Sequence, residues 1–293
     1  MLFRRFATTF VFLPPFLLGL LLDSPGHLIL AIMGAGCSVW GLSEFFNLAG
    51  NLGARPPRRW LYFLAVTTPF GIYLHFAADL DFLWLLAWVA FGGIGLLCAV
   101  IFSGRVEHAW ETYMASVTGM LYVCLPLLLV QAFRLCEGGL WFVLFVFVTT
   151  WLSDTGAFFG GRRFGRHKMT PTISPGKTWE GLVSGLLLAW VGVFLLGGIQ
   201  YLATSSASEQ GFFYWTKGRP EDFFRLSLLT LGLVFSGVLG DLAESMLKRA
   251  LQVKDSGSGL TGHGGFLDIM DSLLVNIPLL FIWALLFEGL SLR

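Results

Sequence analysis

The sequence predicts an all-α protein, a polytopic integral membrane helix bundle of about nine transmembrane helices. Three observations predict it. Of 293 residues, 56% are hydrophobic. Only 13% are charged, about half the share of a soluble domain. A soluble fold of this length has too little interior to hide so much apolar surface, so lipid must act as solvent for much of the chain. The apolar residues also form long continuous runs, not the period-two alternation of a membrane β-barrel.

A helix needs about 20 apolar residues to span a bilayer. Runs of roughly that length fall near residues 6–22, 27–46, 60–77, 82–103, 113–133, 139–160, 180–202, 224–247 and 268–288. The first begins like a signal peptide, with Arg4 and Arg5 before an apolar stretch. It lacks a small-x-small cleavage site, and Pro14-Pro15 interrupts it, so it reads as a retained span. No internal repeat and no soluble domain emerge, which leaves one transmembrane domain over 1–293. Net charge is +1, without the clustered basic face that nucleic acid would require. Cys37, Cys98, Cys124 and Cys136 are scattered and read as small apolar residues rather than a disulfide or zinc framework.

The loops set the topology. With the N-terminus in the cytoplasm, only Arg134, Lys217, Arg219, Arg225 and Arg293 of the 19 lysines and arginines fall outside. The positive-inside rule therefore favours a cytoplasmic N-terminus and an outside C-terminus. It also puts the two most polar loops, 161–179 and 248–267, on the cytoplasmic side.

Carboxylates at membrane depth are costly and call for a partner or a function. Here they are Glu44, Asp154, Glu180, Asp241, Glu244, Asp268, Asp271 and Glu288. Glu44 and Glu288 stand alone near helix ends and read as structural; the others gather around the two polar loops. Asp241, Glu244, Ser245 and Lys248 recur at i, i+3, i+4 and i+7, one face of a helix. Such a stripe can hold a hard cation beside a phosphate. Equally, it can satisfy itself as i,i+4 ion pairs, with Lys248 and Arg249 reaching the interface.

The next segment points toward a ligand. Lys254-Asp255-Ser256-Gly257-Ser258-Gly259 leads to Gly262-His263-Gly264-Gly265, then Asp268 and Asp271. Glycines let a ligand approach the backbone, and successive N–H groups form an anion-binding nest. A helix starting near Asp268 would aim its positive end at the same ligand. His263 fits a general base, a neutral phosphate donor or an ordinary loop histidine. No serine or cysteine is arranged as a covalent nucleophile.

The other polar loop opens at Asp154-Thr155 and carries Arg162, Arg163, Arg166, His167 and Lys168. It closes with Ser174-Pro175-Gly176-Lys177-Thr178-Trp179-Glu180-Gly181. Ser174 then Pro175 predicts a helix start, with Lys177 and Thr178 in the first turn. Gly176-Lys177-Thr178 mimics the end of a P-loop, but Pro171 occupies the required glycine position and no strand precedes it. Gly156 and Gly160 form a GxxxG that suits close helix packing.

Taken together, these residues resemble the phosphatidate cytidylyltransferase (CDP-diacylglycerol synthase) family. Its long C-terminal signature is matched by Ser245 to Arg249, Lys254-Asp255, and Gly262-His263-Gly264-Gly265-Phe266-Leu267-Asp268 with Asp271. A second hallmark is matched by Asp154-Thr155 and by Ser174-Pro175 through Gly181. The match covers roughly 151–185 and 240–275. Three positions depart from the family pattern: Thr261 stands for Pro, Ile269 for Arg and Gly176 for Lys. Two of these remove a cation near a polyanion site.

The resemblance implies that CTP and phosphatidate react to give CDP-diacylglycerol and pyrophosphate, with Mg²⁺ as cofactor; a second cation is a further candidate. It places the metal at Asp241 and Asp268, with Glu244 and Asp271 as weaker ligand candidates. Lys248, Arg249, Lys254 and Lys177 would hold phosphates. Ser174, Thr178, Ser245, Asp255, His263, Gly264 and Gly265 would complete substrate binding. The expected location is a bacterial cytoplasmic membrane, among its lipids, and a homodimer is an expected assembly. Rival readings are a CTP-dependent lipid kinase of the polyprenol type, a cytidylyltransferase for another lipid phosphate, and an ion-coupled transporter. The topology is testable by cysteine-accessibility labelling at positions 163 and 258. Both should react only from the cytoplasmic side; labelling of either from outside intact cells would sink the topology.

Overall fold

The computed structural model describes residues 13–22, 24–78, 83–136, 138–203, 220–251, 253, 256–257 and 265–287. The chain divides into two compact units. One comprises the residues up to Leu135 together with Ala250–Met270; the other comprises Cys136–Arg249 with Asp271–Leu292.

The first unit begins with α1 (13–21), followed by α2 (Ser24–Gly50), α3 (Arg58–Ala77) and α4 (Leu83–Phe102). Next comes one long helix in three parts: α5 (Ala109–Gly119), a π turn (Met120–Cys124) and α6 (Leu125–Leu135). The wide turn lies directly before Pro126, which has no N–H to give and would crowd the carbonyl four residues back. Leu42, Phe46, Leu61, Val123, Phe133 and Leu267 are fully buried in this unit. Glycines set how closely its helices approach: a Cβ at Gly119 would lie 2.8 Å from the Phe46 ring.

The second unit holds α7 (Gly139–Phe164), strands β1 (Lys168–Thr170) and β2 (Ser174–Thr178), α8 (Trp179–Ala203) and α9 (Pro220–Ala250). Helix α10 (Phe266–Phe287) contributes its residues up to Met270 to the first unit and the rest to the second. Helices α7 and α8 meet backbone to backbone. A Cβ at Gly156 would sit 2.7 Å from the Ser184 carbonyl, and one at Gly185 would sit 2.6 Å from the Ser153 carbonyl. This is the close packing that the GxxxG spacing predicts. Farther along the unit, Asn276 is fully buried on α10. Its amide donates to Thr150 Oγ1 on α7 at 2.8 Å, and its oxygen accepts from Ser236 Oγ on α9 at 2.5 Å. In lipid, where no water can satisfy an amide, such bonds join helices.

Among the described residues, seven helices are long and apolar enough to cross a membrane: Gly26–Gly50, Leu83–Phe102, Ala109–Leu135, Gly139–Phe164, Trp179–Gln200, Phe223–Ala250 and Phe266–Phe287. The chain is an all-α polytopic membrane protein. Of the other two runs read as spans, α3 has the length but is less apolar, and α1 is short among the described residues. Val183, Leu187, Val191, Leu195 and Ile199 form an exposed stripe along α8 at four-residue spacing. An apolar stripe on an outer face is what lipid as solvent requires.

One predicted boundary is corrected. Ser174-Pro175 does not start a helix; it lies in β2, paired antiparallel with β1 through Lys168↔Thr178 and Thr170↔Ser174. Pro175 falls between the paired positions of a two-stranded hairpin, where its missing N–H costs no ladder bond. The helix starts one turn later because Thr178 supplies the cap: its hydroxyl accepts from Gly181 N at 3.1 Å.

The α7–α8 contact predicts a mutational asymmetry. Gly156→Val should lower the melting temperature in detergent, at a cost of about 1–3 kcal/mol for an overpacked site. Gly34, where an added Cβ meets nothing within 4 Å, should tolerate alanine with little change. Circular dichroism melts check both.

Candidate active site

Within the second unit, the hairpin delivers Lys177 to α9. Its Nζ lies 2.9 Å from Asp241 Oδ2 and donates to the Val238 carbonyl at 2.9 Å. One turn further, Ser245 Oγ donates to Asp241 Oδ1 at 3.2 Å. Helix α10 approaches at the same level, because Gly240 has no side chain: a Cβ there would lie 2.6 Å from the Asp271 carbonyl. Asp154 on α7 and Asp271 on α10 both lie within electrostatic range of Asp241 and Lys177. Among the described residues, Asp154 and Asp271 thus lie near the Lys177–Asp241 pair, and a hard cation would relieve repulsion among the three carboxyl groups. The hairpin that carries Lys177 is itself tied down. Glu180 accepts from the N–H groups of Arg166 at 3.1 Å and His167 at 3.2 Å, and its carboxylate lies 2.5 Å from His167 Nδ1.

The α9 stripe divides into two halves. Lys248 Nζ pairs with Glu244 Oε1 at 3.4 Å, and Glu244 is buried. That half is the self-satisfied ion pair. Asp241 and Ser245 form the other half, beside Lys177.

In the first unit, Glu44 on α2 reaches the start of α10. Its carboxylate accepts from Phe266 N at 2.9 Å and Leu267 N at 3.0 Å. Asp268 Oδ2 accepts from Gly265 N at 2.6 Å, from Ser256 N at 3.1 Å and from Ser256 Oγ at 3.0 Å. The Asp268 bond to Gly265 is the returning half of a capping box, a side chain at the third helical position satisfying the cap N–H. The first three N–H groups at this end are therefore already held by carboxylates. The expectation that they meet a phosphate is not met at these three groups.

Of the other expected binding residues, Ser174 lies in β2, Thr178 is buried as the cap of α8, and Arg249 is exposed near the end of α9. Gly265 is the cap residue of α10. Lys254, Asp255, His263 and Gly264 lie outside the described residues, as does Thr261, one of the departures from the family pattern. Ile269 and Gly176 are exposed. Sequence reasoning gave Asp154 no role, and it did not pair Lys177 with Asp241. The signal for Asp154 was present as a carboxylate in the middle of an apolar run. Nothing local signals that Glu44 and Phe266 meet.

Oxygen donors of this kind suit a hard cation. Among the described residues, no three His, Cys, Asp or Glu side chains form a ready metal cage. Mg²⁺ is commonly held by one or two carboxylates plus substrate phosphates, so Asp241 with Asp154 or Asp271 fits that mode.

Fold and cluster together define a polytopic helical membrane protein with an acidic, lysine-bearing site at the ends of its helices. The chain matches the cytidylyltransferase family over residues 3–287 and belongs to it. It is similar to proteins named phosphatidate cytidylyltransferase. The one from Haemophilus influenzae is 41% identical over 140 residues, covering 48% of this chain and 44% of that protein. The one from Bacillus subtilis is 40% identical over 155 residues, covering 53% and 51%. The matched stretch thus spans about half the length of these curated relatives.

If the carboxylates take a cation, Lys177→Ala should depend on it for stability. The lost hydrogen bond to a charged group is worth about 2 kcal/mol. The variant should melt several degrees below wild type in chelator and recover most of the loss in millimolar Mg²⁺. An equal loss in both buffers would show that the cluster takes no divalent cation.

Proposed function

We propose that this chain transfers the cytidylyl group of CTP to phosphatidate, at the cytoplasmic face of a bacterial inner membrane, giving CDP-diacylglycerol and pyrophosphate. The observation that carries this reading is Lys177 seated on Asp241 with Asp154 and Asp271 beside it. Family membership and the names of the relatives support the substrate pair.

The chemistry asks little of a base. A phosphate monoester has a second pKa of about 6, by analogy with phosphoserine, so its oxygen is a nucleophile at neutral pH. That oxygen attacks the α-phosphorus of CTP. A new P–O bond forms, the bond to the bridging α–β oxygen breaks, and pyrophosphate leaves with the electron pair. The difficulty lies in bringing two polyanions together and stabilising charge on the transferred phosphorus and the leaving group. Mg²⁺, when bound, would supply Lewis-acid stabilisation of those oxygens. Asp241 would hold it, with Asp154 and Asp271 available beside it; the family resemblance adds Asp268. Lys177 is placed to exchange its Asp241 contact for a phosphate oxygen. Lys248 and Arg249, both about two turns beyond Asp241 along α9, would extend the cationic side toward the same ligand. The hairpin that carries Lys177 is fastened through Glu180.

The test is a radiolabelled CTP assay on purified protein with defined lipid phosphates. Release of pyrophosphate and formation of a CDP-lipid support the reading; CDP release with a phosphorylated lipid would replace it with a CTP-dependent kinase. Asp241→Asn and Asp268→Asn should each lower turnover at least about a hundredfold, a loss of roughly 2.7 kcal/mol of transition-state stabilisation. Folded, membrane-inserted Asp241→Asn protein with near-normal Mg²⁺-dependent turnover would remove Asp241 from the site.

A further inference from the structure

Glu44 in the first unit sits far in sequence from most of what it holds. It is 5% exposed. An ionised carboxylate at that depth is unfavourable unless its oxygens are filled. Oε1 accepts from Trp40 Nε1 at 2.9 Å and from Phe266 N at 2.9 Å. Oε2 accepts from Leu267 N at 3.0 Å and lies 3.3 Å from Ser256 Oγ, whose single proton it shares with Asp268. No cation is among these four donors. Two of them are the unpaired N–H groups at the start of α10, where the helix dipole also favours negative charge.

The same atoms govern Asp268. Ser256 bonds both carboxylates, giving its N–H to Asp268 and standing between Glu44 and Asp268 with its hydroxyl. Two glycines of this segment leave room for this arrangement. A Cβ at Gly257 would lie 2.9 Å from Glu44 Oε1, and one at Gly265 would overlap both Ser256 Oγ and Glu44 Oε2. At these two positions the missing side chain makes room for a protein carboxylate.

We infer that Glu44 is a positioning residue: from α2 it fixes the first turn of α10 and Ser256, and through them the orientation of the Asp268 carboxylate. The inference rests on the proposed function in giving Asp268 a part in turnover. A chain with Gln at this position is isosteric, so packing survives. Its NH₂ would replace either Oε1, facing the Trp40 and Phe266 N–H groups, or Oε2, facing the Leu267 N–H and the Ser256 hydroxyl, with a donor in place of an acceptor.

The experiment is Glu44→Gln in the full chain, in detergent and in phosphatidate-containing vesicles. Hydrogen exchange should quicken at least tenfold at the amides of 266–267 while the far end of α10 is unchanged. With CTP, kcat should fall at least thirtyfold or the Mg²⁺ needed for half-maximal rate should rise at least tenfold, with little change in KM for CTP. In an Asp268→Asn background, Glu44→Gln should add less than threefold, because both act through one carboxylate. Unchanged exchange at 266–267 overturns the inference. So does wild-type turnover with quickened exchange, or a loss that multiplies fully with that of Asp268→Asn. A wild-type chain that leaves CTP intact with every lipid phosphate overturns the functional reading instead. The exchange result then decides whether Glu44 holds the turn. A variant too unstable to purify moves the same measurements to Ser256→Ala, which removes one shared donor and should shift them in the same direction.

Discussion

A charge withdrawn from water must find its counterpart inside the protein, and much of this structure follows from that constraint. The helices are too apolar to host charges casually. Among the described residues, Glu44, Asp241, Glu244 and Asp268 each have hydrogen-bond or ion-pair partners. The ammonium of Lys177 on Asp241 is the sharpest case, since it decides where the hairpin must stand and which face of α9 it addresses. The hairpin register, the late start of α8 at Trp179 and the clasp of Glu180 on the backbone of Arg166 and His167 all serve that placement.

The two acidic groups differ in how their charge is met. Glu44 is met by four neutral donors, which fills its acceptor capacity and makes it an anchor. Asp241 is paired with Lys177, and Asp154 and Asp271 lie within electrostatic range of both. The first arrangement is stable by itself. The second gains from a mobile cation and from an anionic ligand that brings its own counter-charge. Catalysis between two polyanions requires that kind of exchangeable compensation.

Glycine does a different task in each region. Along α7 and α8, and at Gly240 on α9, it lets backbones touch, which in lipid substitutes for the hydrophobic drive that water would supply. At Gly257 and Gly265 it clears space for the Glu44 carboxylate. A glycine-rich signature in a phosphate-handling family invites the reading of an anion nest, and for these two positions the neighbour is a side chain of the protein itself.

The sequence by itself determined the membrane fold, the helical class and the family, because lipid imposes a signal on every span and the C-terminal signature is long and ordered. It also located the acidic stripe on α9, since i, i+3 and i+4 spacing fixes a helix face without any tertiary knowledge. The GxxxG contact was legible for the same reason. The helix start at Ser174 was misplaced because Ser-Pro is compatible with both a cap and a hairpin strand, and only the pairing with Lys168–Thr170 decides between them. That Lys177 meets Asp241, and that Glu44 meets Phe266 across 222 positions, was decided by tertiary structure alone. Local periodicity reports which face a residue occupies. Which distant group shares that space depends on how helices pack, and no local pattern encodes it.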